Sequence, residues 1–567
     1  MLFFRPIEIG FSANIKKILL SFFNERSIRR SLQERSQKLF ASTANSGKAL
    51  IVLFALTLVS CVNANAQAVE ITTQPKSKLV QINTQANLSV SANVSDGGIL
   101  LYEWYSNTVE SNVGGTLVHT TVDTPDSAFE IPSEQTGDFY YYVVVSSTNE
   151  NSTQEVYASV TSKVAKVTVT LDEVYTISFF DDKLNKVEEE TVLGGTIRPS
   201  SILEGTWYAL EESEPTEEVD VDENISFFET SGVIGISTEE DLDKIRDNLA
   251  GRYILQNSIT VNPADDVNGW LPIGSYADGG FKGALNGNGH AIKGLWINRP
   301  NEDYIGLFGY IGGGGSILYL GIDTDAAKGG IQGRDYVGAV AGRIRVGTIT
   351  AVRTGADVRG RSYVGGITGR AAGSLITITI SNGDISGTGD YVGGVVGRVD
   401  IGTITATYST GKISGDGDYV GGVVGYSGEA TITATYSAGK VGGGGDYVGG
   451  VTGYISIGTI TASYSRGEIS GAGDYVGGIA GYAFLVPVTA VYTQGNVVGN
   501  NYVGGVVGSF GIGTLTAAFS YGDILGNYFA GRLVGRNKGS IITASAGLGR
   551  VKAQDTLLSW LPWPSWL

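Results

Sequence analysis

The sequence predicts an all-β protein: an N-terminal β-sandwich, then a parallel β-helix of coils about 28 residues long, with a short helix capping its start. Three observations predict this. Tyr304, Tyr336, Tyr363, Tyr391, Tyr419, Tyr447, Tyr475, Tyr502 and Tyr528 each open a Y-[VIF]-[GA] motif, with gaps of 32, 27, 28, 28, 28, 28, 27 and 26 residues. A spacing this constant means stacked repeats, in which each unit buries its apolar face on the next. Each copy, such as YVGGVVGYSGEATITATYSAGKVGGGGD, holds two or three β-branched runs parted by glycine and shows no helical spacing. Upstream, residues 70–170 carry short alternating runs separated by Gly, Asn and Asp, which is the pattern of a sandwich.

Composition narrows the chemistry. The chain has 567 residues with 83 Gly, 12 Pro, 1 Cys and 2 His, and 42% of its residues are hydrophobic. That apolar content is enough to bury a core, and Gly plus Pro stays below the share typical of low-complexity chains. One cysteine excludes a disulfide framework and cysteine-based metal sites. No cofactor is expected. A net charge of −17 argues against nucleic acid, whose binding needs a basic footprint.

Residues 1–66 read as an export segment. The apolar run Ala49–Val59 follows a basic stretch from Arg26 to Lys48, and Ala64-Asn65-Ala66 fits a small-residue cleavage site. Eleven apolar residues are short for a membrane span. A transmembrane anchor is one alternative. Another is lipidation at Cys61, because Leu58-Val59-Ser60-Cys61 resembles a bacterial lipobox; a lipid there would be the chain's membrane contact. Cleavage after residue 66 leaves 30 bases against 53 acids and places the mature chain outside the cytoplasm.

Residues 67–170 contain the runs ANLSVSANV, LLYEWYS, FYYYVVVSS and ASVTSKVAKVTVTL. With Trp104 after a β run and Tyr141 two residues before Val143, the segment resembles bacterial immunoglobulin-like domains. Val90 and Val143 stand where that family often has cysteines. Residues 171–235 hold one small β unit and the segment EESEPTEEVDVDE, with 8 carboxylates in residues 211–223, expected to be a solvated linker.

Residues 236–549 form the repeat region. ISTEEDLDKIRDNLAG places Leu242, Ile245 and Leu249 at helical spacing, with Ser237 or Thr238 as N-cap and Gly251 as stop. The repeats resemble the GLUG-motif family of bacterial surface proteins, G-G-L-V-G-x-x-x-G-x-I-x-x-x-Y-x-x-G-x-[IV], and WLPIGSYADGGFKGALNGNGHAIKGLWI resembles the entry coil beside such repeats. The resemblance implies an adhesin-like or stalk role for nine to ten coils. Residues 550–567, rich in Trp, are expected to cap the last coil, with a membrane-interface segment as the alternative.

Column arithmetic then assigns side-chain directions. Ile349, Ile376, Ile404, Ile432, Ile460, Val488 and Leu515 form one apolar column, and Ala351, Ile378, Ala406, Ala434, Ala462, Ala490, Ala517 and Ala544 another two residues on. Alternation faces both inward and turns the intervening Thr350, Thr377, Thr405, Thr433, Thr461, Thr489, Thr516 and Thr543 outward. The same parity points Tyr408, Tyr436, Tyr464 and Tyr492 inward. It also yields an outward array of Thr403, Thr405, Thr407, Thr431, Thr433, Thr435, Thr459, Thr461 and Ser463. That array is the candidate binding surface. It either presents a plain β-forming ladder or, resembling the T-x-T faces of ice-binding solenoids, engages ice. The column Asp303, Asp335, Asp390, Asp418, Asp446 and Asp474 is expected to cap turns, with calcium as the alternative. Arg343, Arg345, Arg353, Arg359, Arg361 and Arg370 crowd the early coils as a solvated face or an anionic-glycan contact. The acids recur with the period rather than breaking it. The expected role is therefore non-catalytic binding of an extracellular glycan or protein, ahead of ice binding and of a carbohydrate-active enzyme.

Overall fold

The computed structural model describes residues 69–94, 99–122, 126–148, 158–263 and 267–553. The export segment with Cys61 and most of the Trp-rich tail lie outside the described residues. The chain divides into two units. The first comprises the residues up to Phe179 with Val187–Thr206 and Thr216–Phe227, and the second holds Phe180–Lys186, Trp207–Pro215 and everything from Phe228.

In the first unit, strands Val69–Thr73, Asn87–Val94 and Asp126–Glu130 make one sheet. Lys78–Gln81, Ala165–Thr170, Gly137–Thr148, Ile99–Asn107 and Thr116–Val122 make the other. Between them lie Leu88, Val90, Tyr102, Trp104, Val143 and Val167, all buried. Trp104 sits opposite Val143 and donates its indole N–H to Ser127 Oγ at 2.9 Å, so the ring is enclosed without an orphan donor. The acidic segment is not wholly a solvated linker. Val219–Val221 pairs antiparallel with Gly195–Ile197, because Val221 alternates with Asp220 and Asp222 and is buried.

The second unit is a stack of parallel strands in four sheets of 16, 11, 10 and 8 strands. The eleven-stranded sheet, from Ile259–Thr260 to Ala546–Gly547, sets the number of levels. Eleven levels exceed the nine to ten expected, because the first levels lack the tyrosine motif; at a strand spacing of about 4.8 Å they span about 48 Å. One core fills the lumen, with Ile404, Ile432 and Ile460 wholly buried on successive coils. The capping helix is shorter than expected. Glu239–Asp243 is α-helical, with a Thr238–Asp241 capping box, and Lys244–Asp247 continues as a 3-10 turn ending at Asn248 rather than at Gly251. Arg246 there donates to the Pro272 carbonyl at 2.8 Å, tying the turn to the next coil.

Register follows the period. Thr405 pairs with Thr433, Thr433 with Thr461, and Thr489 with Thr516. At the last coil Phe529, not Tyr528, continues the tyrosine column, since Asn501 pairs with Tyr528 and Val503 with Ala530. Glycine is required where the coil crosses its interior: a Cβ on Gly422 would lie 2.1 Å from the Gly450 carbonyl oxygen.

Candidate binding surfaces

Backbone corners decide which side chains face out. Ala406, Ala434, Ala462 and their equivalents adopt φ of 47° to 55°, the left-handed region. One such residue turns the chain and breaks the strand alternation, so the parity assumed across it reverses. Thr407, Thr435 and Ser463 are therefore inside the core, at 0%, 1% and 0% exposure, not on the outer array. Tyr408, Tyr436, Tyr464 and Tyr492 face out instead of inward, Tyr408 being 42% exposed. The Ala column is a corner rather than a lumen column, and its one large member, Ile378, is 57% exposed.

The other six predicted positions, Thr403, Thr405, Thr431, Thr433, Thr459 and Thr461, share one outward face of the 16-stranded sheet and are all partly or fully exposed. The third outward column lies on their opposite flank. Ile401, Glu429, Ile457, Leu485 and Ile512 are in register there, and Ile401 and Ile512 are 56% and 55% exposed. Among the described residues, the hydroxyls of Thr403, Thr405, Thr431, Thr433, Thr459 and Thr461 make no hydrogen bond within the protein, whereas Thr516 and Thr543 pair at 3.1 Å.

This face changes chemistry along its length. Ile254, Asn286 and Leu318 precede Thr350 in the same column. Phe180, Leu184 and Phe228 pack over Ile254, Ala284 and Leu318 as a separate apolar cluster, and Asn286 donates to the Leu184 carbonyl at 2.6 Å. Where protein covers the face, the column carries bulky apolar or bonded residues; where it is open, it carries Thr.

A second surface is aromatic. Tyr304, Tyr336, Tyr363, Tyr391, Tyr419, Tyr447, Tyr475, Tyr502 and Phe529 stack at 4.5–5.1 Å between centroids. Each sits at a left-handed corner, with φ of 50° to 66°. Such a φ costs a non-glycine residue about 1–2 kcal/mol, a cost that ring stacking offsets. Tyr426, Tyr454 and Tyr482 form a shorter parallel ladder meeting the first edge-on. Its end faces are closed by cations: Arg398 lies 4.7 Å over Tyr426 and Lys538 5.2 Å over Tyr482. Burial in the stack pushes the Tyr419 and Tyr447 phenols up to about 12. The sequence signal for this ladder is the seventh residue after each motif tyrosine, which is Arg or Tyr from Arg343 to Tyr482.

The acidic column caps turns. Asp418 Oδ1 accepts the Asp446 backbone N–H at 2.7 Å, and Asp446 Oδ1 that of Asp474 at 2.7 Å. Each carboxylate thus bonds the amide one coil on. Among the early arginines, Arg361 forms an ion pair with Asp335, Arg353 with Asp323 and Arg370 with Asp400, which Arg398 shares. Hydrogen bonds from Arg334 hold Asp303 below the usual carboxylate range. Arg343 instead lies over Tyr276 and Tyr310.

No protein-family profile matches the chain. It is 37% identical over 113 residues to a protein of Evansella cellulosilytica described as a Gly-rich membrane protein, covering 18% of this chain and 13% of that one. It is 41% identical over 125 residues to halomucin of Haloquadratum walsbyi, covering 21% of this chain and 1% of halomucin. The chain therefore spans only a small part of either relative. Among solved structures, the pectate lyase PelI of Erwinia chrysanthemi is matched at 9% identity over 86% of this chain and 98% of that one, with a TM-score of 0.13.

Proposed function

We propose that this chain is an exported surface repeat protein whose solenoid is a non-catalytic, adhesin-like binding scaffold for an extracellular glycan or protein. The carrying observation is periodic: the same outward columns recur from coil to coil, so contact surface grows with the number of coils rather than residing in one pocket. The partial likeness to a protein described as a membrane protein and to halomucin supports a place at the cell surface. The resemblance to GLUG repeats and to immunoglobulin-like modules supports the same role.

The test removes one period. Deleting residues 419–446 rejoins equivalent positions and should preserve the fold while lowering retention on glycan arrays or cell surfaces stepwise. Release of reducing or unsaturated ends from a polysaccharide panel would replace this reading with an enzymatic one. Retention unchanged by loss of coils would discard the solenoid as the binding element.

A further inference from the structure

We propose that the open sheet face from the coil of Thr350 to that of Thr543 binds ice, its ligand being the ordered water lattice at a crystal surface. Four observations on this face carry the inference, and none depends on the adhesive reading above.

The first is the change of chemistry along one column. Under Phe180, Leu184 and Phe228 the column holds Ile254 and Leu318; beyond that cover it holds Thr without interruption for eight coils. Beyond the cover this column turns to hydroxyl and methyl groups, while Ile401, Ile457, Leu485 and Ile512 stay exposed in the column on its flank. Second, the open face carries none of the residues that anchor protein partners. Its three outward columns contain no Trp, Tyr or Arg, the types enriched at binding hot spots, and Glu429 is their one charge.

Third, area disfavours a second copy. Eight coils by two i, i+2 steps cover about 34 by 13 Å, so an isologous pair would bury about 900 Å², short of the roughly 1,200 Å² of a stable specific interface. Fourth, the Thr hydroxyls at the centre of the array are unpaired with protein and stand on a rigid grid. On the coils of Thr405, Thr433 and Thr461, where Thr403, Thr431 and Thr459 stand beside them, that grid repeats at about 4.8 Å between coils and 6.6–7 Å along each strand; Leu375, Pro487 and Ile541 interrupt the flanking column on other coils. Methyl and hydroxyl groups fixed on such a grid can hold ordered water with little further loss of freedom, because the stacked backbone is already rigid. Strongly hydrated charges, which would disrupt a water lattice, are confined to Glu429.

The experiment uses the full chain. Thermal hysteresis, crystal habit and partition into slowly growing ice are measured for wild type, Thr433→Tyr, Thr461→Tyr and Thr410→Tyr. The two face variants each raise a ring above the plane; Thr410 lies beyond the Ala406 corner, just past the strand Tyr408–Ser409 of the eleven-stranded sheet. Expected are faceted crystals and enrichment in ice for wild type and Thr410→Tyr, with at least a fivefold loss of hysteresis in Thr433→Tyr and Thr461→Tyr at unchanged circular dichroism and melting temperature. Exclusion of the wild-type chain from ice would overturn the proposal, as would equal losses in all three variants. A dimer abolished by Thr433→Tyr, without ice activity, would reassign the face to self-association.

Discussion

Consider Gly422→Ala. The added Cβ would lie 2.1 Å from the Gly450 carbonyl oxygen, 2.2 Å from Ser437 Oγ and 2.8 Å from Ser437 Cβ. The carbonyl is backbone of the next coil and cannot rotate away. Relief requires the coil to shift by about 1 Å, which strains the Gly422 N–H to Gly449 and Val423 N–H to Val451 hydrogen bonds, now 3.0 and 2.9 Å. Overpacking costs about 1–3 kcal/mol and each weakened bond about 1 kcal/mol, so the loss should be about 3–5 kcal/mol. Gly355→Ala is the control: nothing lies within 4 Å of its Cβ, and its φ is not left-handed. It should change stability by less than about 0.5 kcal/mol, or stabilise slightly. Urea denaturation followed by far-ultraviolet circular dichroism reads both. Adding Ser437→Ala to Gly422→Ala should not restore the loss, because the carbonyl remains. A cost below about 1 kcal/mol for Gly422→Ala would refute the claim that successive coils touch backbone to backbone.

Three further outcomes follow from the same packing. Ser437 Oγ is buried without a hydrogen-bond partner, so Ser437→Ala should be neutral or stabilising by up to about 1 kcal/mol in urea unfolding; a clear loss would reveal a hidden partner. Ile378 is β-branched, exposed and at φ 53°, so Ile378→Gly should raise stability by about 0.5–1 kcal/mol once glycine's entropy is set against the relieved strain. A drop in melting temperature would count against the corner geometry. Burial pushes the Tyr419 and Tyr447 phenols up to about 12, above the ordinary 10 of a free phenol. A raised pKa favours the neutral phenol, so this stabilisation is whole below pH 10 and is lost as pH rises through 12. Phenolate absorbance for these rings should rise late and together with unfolding; full ionisation near pH 10 in a folded chain would contradict the ladder.

Much of this was legible in the sequence because repetition averages out local ambiguity. The 28-residue spacing fixed which residues stack, and Ile404, Ile432 and Ile460 are buried as their column implies. The failures share one cause. Alternation was carried through Ala406, Ala434 and Ala462, yet alanine gives no outward sign of a left-handed φ, which is usually supplied by glycine. Every assignment beyond that corner flipped, burying Thr407, Thr435 and Ser463 and exposing Tyr408. The tyrosine ladders escaped because ring stacking is a property of neighbouring coils, although Tyr426, Tyr454 and Tyr482 stand at one fixed offset from the motif. The ion pairs were not legible from local sequence, because Arg353, Arg361 and Arg370 meet their carboxylates one coil away, as in Arg361 with Asp335.

The most direct test of the stacked-coil account is a set of distances. Pairs of spin labels placed at Thr350 and, in turn, at Thr461, Thr489, Thr516 and Thr543 are separated by four, five, six and seven coils. Pulsed dipolar spectroscopy should return narrow distributions whose centres advance by about 4.8 Å per pair. Distances that fail to advance evenly, or broad distributions without order, would contradict it.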